Sequence, residues 1–190
     1  MTVIRNLLLA APALLLGGLA CESDKPSTAT PVASPAWTTY ESEGGDFAVS
    51  YPSEWFKADG SLTPHLENPA EILSVGTLSL EPGPSECAQF AGHAMGAMSR
   101  EDALISFQES SDRLEGRYVI DRPDASFSLE SGYPTDAQEC VDDPIPFEDR
   151  FIPFTYGERS FYAYAAWGEQ ASAGTRQQIL GILDSFRTTE

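Results

Sequence analysis

Alternation of large and polar side chains is clearest at the two ends of the folded region. Trp37-Thr38-Thr39-Tyr40-Glu41 alternates, Gly44-Gly45-Asp46 turns, and Phe47-Ala48-Val49-Ser50-Tyr51 alternates again with Phe47, Val49 and Tyr51 on one face. A period of two on both sides of a glycine-rich turn predicts a β-hairpin. Pro52 cannot donate to a strand ladder, so Pro52-Ser53-Glu54-Trp55 is expected to break the second strand, with Trp55 as a large apolar plug at its exit. Near the other end, Arg150 to Tyr156 and Ser160 to Trp167 predict two strands joined through Gly157-Glu158-Arg159. Phe161, Ala163, Ala165 and Trp167 share one face, and Ser160, Tyr162, Tyr164 and Ala166 the other. Large groups on both sides predict a central strand covered on both faces. After it, Ile179, Ile182, Leu183 and Phe186 recur at helical spacing and predict a C-terminal helix that lays its stripe on the sheet.

The middle is less regular. Residues 58–69 carry the breakers Gly60, Pro64 and Pro69, and Ile72 to Leu80 predicts a strand ended by Glu81-Pro82-Gly83-Pro84. Over 85–98, Ala88, Ala91, Ala94 and Met95 suit a short helix that Gly92 and Gly96 weaken. Ser99 and Asp102 stand in a capping-box-like arrangement, yet Ala103 to Gln108 reads equally as a buried strand, and both readings stay open. Tyr118-Val119-Ile120 and Ala125 to Glu130 are β-like, with Pro123 between them. The expected fold class is α+β, an antiparallel sheet with helices packed on it.

What precedes the hairpin has a different character. Arg5 is followed by an apolar run, Leu7 to Cys21, that contains Pro12 and ends in Gly18-Leu19-Ala20. The run is shorter than the ~20 residues needed to span a bilayer and reads as a secretory signal over 1–20. Gly-Leu-Ala-Cys resembles the bacterial lipobox, which implies acylation of Cys21 and attachment to the extracytoplasmic face of the cell membrane. Ordinary secretion after an A-x-A-like cut is the other reading; an exposed lone thiol at a secreted terminus is an oxidation liability, which favours lipidation. Residues 21–36, rich in Ser, Thr, Pro and Ala, are expected to be a flexible tether, leaving 37–190 as a single α+β domain.

The formal charge of the whole chain is −18, and removal of Arg5 with the signal makes it −19. Such a chain repels nucleic acid, which excludes DNA and RNA as partners, and it lacks the Lys and Arg that hold a protein flat on anionic lipid. A protein partner in the envelope, or a cation, is compatible with that charge.

Few residues carry candidate chemistry. Cys87 and Cys140 are the other two cysteines; outside the cytoplasm such a pair reads as one disulfide, stabilising by about 4 kcal/mol in the chain-entropy picture. His65 and His93 are the only histidines and do not form a zinc-ligand pattern. No H-E-x-x-H or Gly-x-Ser-x-Gly is present, no cofactor is implied, and the chain reads as a non-enzyme. A hydrolase with an unmarked site, using His65 or His93 as base, is an alternative. Asp136, Glu139, Asp142 and Asp143 surround Cys140 in an acidic loop that reads either as solvated or as a weak calcium candidate, without the Gly and terminal Glu of an EF-hand. Trp37, Trp55, Trp167, Tyr162 and Tyr164 read as core in preference to a ligand groove.

Two stretches carry a family resemblance. Phe47-Ala48-Val49-Ser50-Tyr51-Pro52-Ser53-Glu54-Trp55 is similar to the opening of PsbP-like domains, and Ile182-Leu183-Asp184-Ser185-Phe186 resembles their last helix. The strand Arg159 to Tyr164 also looks like the ending of a group of bacterial surface lipoproteins. The resemblance covers the two ends of the domain, about a third of it. It implies an α/β/α sandwich around an antiparallel sheet and a non-enzymatic binding or accessory role. Members serve as photosystem accessory subunits or GTPase-binding proteins, roles that cannot be carried onto named residues here.

Overall fold

The computed structural model describes residues 35–84, 89–141 and 145–189. The expected hairpin is present. Strand β1 (Trp37–Glu41) pairs antiparallel with β2 (Phe47–Pro52), and Gly45 takes a positive φ in the turn between them. The two-residue strand β9 (Arg187–Thr188) pairs with Phe47 and Ala48, which makes a three-stranded sheet in the order β1-β2-β9.

A second sheet has six strands. These are β3 (Phe56–Lys57), β4 (Ala70–Gly76), β5 (Ala103–Ser110), β6 (Ile120–Arg122), β7 (Phe147–Tyr156) and β8 (Arg159–Gly168), arranged β3-β4-β5-β8-β7-β6. Every pairing is antiparallel except β6 with β7, which is parallel. The sheet is therefore mixed, where a wholly antiparallel one was expected. The chain between Arg122 and Phe147 is long enough for the return crossover that a parallel pair requires.

Ala103 to Gln108 belongs to a strand at the centre of the sheet. Ala103, Ile105 and Phe107 enter one core while Leu104 enters the other, so the stretch has no solvent face to mark its period. Ser99 to Asp102 is a turn, not a helix start: the Ser99 amide donates to Asp102 Oδ2 at 2.7 Å. Three other expectations shift. The strand at Ile72 ends at Gly76 rather than Leu80. Of Tyr118-Val119-Ile120, only Ile120 is in a strand. Ala125 to Glu130 contains none; it begins in a turn closed by the Ala125 amide on Asp121 and continues into hydroxyl bonds between Ser128 and Ser131.

Two helices complete the described part. The short α1 (Gly92–Gly96) is flanked by the glycines that weakened its prediction. The C-terminal α2 (Ala173–Ser185) starts at Ser172, whose hydroxyl accepts from the Thr175 amide at 2.9 Å and satisfies one of the free donors of the first turn. Ile179, Ile182 and Leu183 are buried as the spacing predicts, and Phe186 caps the helix. At that end Ser185 Oγ accepts from the Ser50 amide at 2.8 Å and lies 3.0 Å from the Ser50 carbonyl, tying α2 to β2.

The large sheet thus separates two cores. On its first face Phe47, Val49 and Tyr51 of the hairpin and the stripe of α2 meet Phe107, Phe154, Phe161 and Trp167. On its second face Met95 of α1, Met98, Leu62 and Leu80 meet Leu104, Phe151, Tyr164 and Ala166. The α+β class is as expected, with one helix on each face of the large sheet.

Candidate functional site

The second face of the large sheet is unusually polar for a covered surface. Register places Ser74, Ser106, Tyr164 and Phe151 side by side in one row across β4, β5, β8 and β7, and Glu71, Gln108, Tyr162 and Pro153 in the next. Most of these groups have work in holding loops. Glu71 Oε2 accepts from Ser61 Oγ, the Thr63 amide and Thr63 Oγ1 at 3.0, 2.8 and 2.7 Å, and Oε1 accepts from Ser74 Oγ at 2.6 Å. One carboxylate therefore clamps the loop before β4 onto the sheet. Gln108 Nε2 donates to the Gln89 carbonyl at 3.0 Å, while Gln108 Oε1 and Ser106 Oγ are buried without a partner among the described residues.

Further across this face a short segment is strapped to β7. Tyr133 and Phe151 exchange backbone bonds, Tyr133 N to Phe151 O at 3.2 Å and Phe151 N to Tyr133 O at 2.9 Å, which extends the sheet edge past β6. Gly132 makes the approach feasible: its φ is +75°, and a Cβ there would fall 2.2 Å from the Phe151 carbonyl oxygen. Two residues on, Asp149 reaches out of the core to hold Thr135. Its Oδ1 accepts from the Thr135 amide at 2.9 Å and its Oδ2 from Thr135 Oγ1 at 2.6 Å, with the Tyr164 hydroxyl on Oδ2 at 3.2 Å. Thr135 Oγ1 then accepts from the Ala137 amide at 3.0 Å, which leads into a single 3-10 turn over Ala137–Cys140.

Between this strap and the segment before α1 runs a groove of about 530 Å³, lined by Gln89, Phe90, Tyr133, Thr135, Asp136, Glu139, Cys140 and Phe151, with Pro134 at its rim. That size lies within the ~300–1,000 Å³ usual for small-ligand sites. Its apolar wall is a series of rings. Phe90 meets Phe151 edge-on at 6.0 Å and Tyr164 at 4.8 Å, Tyr133 meets Phe151 at 5.8 Å, and Tyr162 stacks on Phe151 at 4.7 Å. Outside it Tyr118 lies 6.0 Å from Tyr133, and the Arg117 guanidinium already sits over the Tyr118 ring. Tyr133 is 40% exposed, a large area for an aromatic residue anchored at both its backbone groups. Burial lifts the hydroxyls of Tyr133 and Tyr162 above the usual tyrosine range, with Tyr133 and then Asp112 adding to the effect on Tyr162, so both rings stay neutral at physiological pH. Asp136 and Glu139 are exposed and make no side-chain hydrogen bond or ion pair among the described residues.

Residues singled out in the sequence are distributed unevenly about this groove. Of the acidic loop, Asp136 and Glu139 line it, while Asp142 and Asp143 lie outside the described residues. Among the described residues no group of three or more His, Cys, Asp or Glu side chains is placed to hold a metal. Cys140 lines the groove; Cys87 lies outside the described residues, as do Cys21, the expected signal and the expected tether up to residue 34. His93 packs beside Gly83, and His65 lies in the loop before β4. Trp55, Trp167 and Tyr164 are core, as expected, whereas Trp37 is exposed and lies over Gly181 of α2. The rings that do face the groove, Phe90, Tyr133 and Phe151, have no sequence periodicity in common. Tyr133 and Phe90 lie in irregular segments, and only the proximity of Gly132 to Tyr133 could have marked the strap.

The chain matches no family model, no curated protein and no solved structure. No helix among the described residues is long and apolar enough to cross a membrane.

Proposed function

We propose that this chain is a lipid-anchored extracytoplasmic binding protein whose α+β domain takes a small ligand in the groove between Phe90, Tyr133 and Phe151. The groove itself carries the reading: its lining combines packed rings with two carboxylates that are unengaged among the described residues, and a backbone strap holds Tyr133 in place. Side chains aligned before a ligand arrives lose less entropy when it binds. The anchor rests on the lipobox-like Gly18-Leu19-Ala20-Cys21. A Cys87–Cys140 disulfide would fix one end of the 3-10 turn beside the groove. The PsbP-like α/β/α sandwich is part of the same proposal, supported by helices on opposite faces of the large sheet.

Two experiments test it. Cys21→Ser should move the protein from the membrane fraction to the soluble one; retention on the membrane overturns the anchor. A thermal-shift screen against sugars, amines, divalent cations and envelope metabolites should raise Tm by several degrees for a ligand at about 100 times its Kd, since binding then adds about 2.7 kcal/mol. The shift should disappear in Tyr133→Leu. A flat screen overturns the small-ligand reading and favours a protein partner.

A further inference from the structure

Resting on the groove as a binding site, we infer that its ligand is a small organic cation, an amine or quaternary ammonium group of low molecular weight. Three observations converge. Tyr133, which is 40% exposed and packed beside the buried Phe151 ring, offers an electron-rich face in a groove also lined by Phe90, and burial raises the pKa of its hydroxyl, so that face is that of a neutral phenol. Asp136 and Glu139 add two carboxylates that no group among the described residues neutralises, and no Lys or Arg is among the described lining residues. The chain as a whole is formally −18, so the field outside the groove draws cations in and turns anions away.

Competing ligand classes fit this lining less well. A bare divalent cation is strongly hydrated, wants several oxygen ligands and gains little from aromatic faces; among the described residues the groove offers two side-chain carboxylates. A neutral sugar needs donors and acceptors around its hydroxyls, but the Thr135 hydroxyl is already committed to Asp149 and to the Ala137 amide. An alkylammonium group uses what remains, a ring face for its polarised methyl or methylene groups and a carboxylate for its charge. The protein shows the same contact in miniature just outside the groove, where the Arg117 guanidinium lies 4.4 Å from the centroid of the Tyr118 ring.

The test is calorimetric titration of the purified full-length protein with choline, with butylamine, and with 3,3-dimethylbutan-1-ol, the uncharged carbon counterpart of choline. Choline or butylamine should bind, and the uncharged alcohol should bind at least tenfold more weakly. Tyr133→Leu and the pair Asp136→Asn with Glu139→Gln should each weaken cation binding fivefold or more, while Tyr133→Phe retains it. Added salt should weaken binding in the native protein more than in the carboxylate pair variant. Unchanged melting temperatures establish that the variants fold, which the exposure of all three side chains favours. Equal binding of choline and its carbon counterpart overturns the inference. So does cation binding that survives Tyr133→Leu. If neutral sugars bind instead, and Tyr133→Leu abolishes that, the groove stands as a binding site and only its assignment to cations falls. If no probe and no sugar binds, both fall.

Discussion

The hydroxyl of Tyr164 lies 3.2 Å from Asp149 Oδ2, and through that carboxylate the buried floor of the second core is connected to the groove wall at Thr135. A carboxylate that is 5% exposed is stable there because two hydroxyls and an amide donate to it. Asp149→Ala removes all three bonds and leaves the buried Tyr164 hydroxyl with only the weak acceptor Met95 Sδ, at 3.1 Å. It should destabilise the domain by about 2–4 kcal/mol, read from urea unfolding. The same variant should free residues 133–137, visible as faster amide exchange at Thr135 than elsewhere in the fold.

Tyr164 also sets a response to alkali. Burial first, then Asp149, raises its pKa well above 10.0, whereas the unfolded chain ionises a tyrosine near its ordinary value. The native state therefore holds the proton more tightly than the unfolded state, and the stability this supplies is complete below pH ~10 and lost as pH rises beyond it. Stability measured at pH 9 and pH 11 should fall more steeply in the native protein than in Tyr164→Phe. Equal slopes would mean that Tyr164 does not contribute to the alkaline loss.

Asp102 should act at the other end of the scale. Burial opposes its charge, but hydrogen bonds from Ser99 and from the Thr77 hydroxyl, at 2.7 Å from Asp102 Oδ1, outweigh that and lower its pKa below the ordinary carboxylate value of 3.8. Here the unfolded chain takes up the proton first. The contribution is present above pH ~4 and disappears as pH falls through the native pKa. Asp102→Asn should lower the urea midpoint at pH 7 and narrow its gap from the native protein at pH 3.

Phe186 holds the first core together. Its ring lies 4.9 Å from Phe161, 5.0 Å from Phe154, 5.2 Å from Phe107 and 5.9 Å from Phe47, joining both sheets and the end of α2. Phe186→Ala should cost about 3–5 kcal/mol, with Phe186→Leu well below that, both by chemical denaturation.

Gly132→Ala tests the strap directly. The substitution meets the Phe151 carbonyl and needs a φ that a side chain resists. Tyr133 should leave its pairing with Phe151 at a stability cost of about 1–3 kcal/mol, and ligand binding in the groove should fall with it. Retained binding with lost stability would show that Tyr133 reaches the groove without the strap.

Elements with one wet face were the most legible in the sequence. The hairpin and α2 each show a clean period because polar residues mark an exposed side, while β8, buried on both faces, was marked instead by the Gly157 turn and by large residues on both sides. β5 did not, because Leu104, Ser106 and Gln108 are as buried as Ala103, Ile105 and Phe107 on the opposite face. The local bond between Ser99 and Asp102 imitated a helix start there. The parallel pairing of β6 is set by three residues and a long return, which no local pattern encodes. As for the groove, its carboxylates were visible in sequence as an acidic loop, but its rings were not, since Phe90, Tyr133 and Phe151 meet only through tertiary contacts.

The position of the hairpin bears on how the groove is approached. β1 follows directly on the N-terminal segment and packs with β2 on the first face of the large sheet, while the groove opens on the second. The described chain therefore begins on one side of a six-stranded wall, and the groove opens on the other.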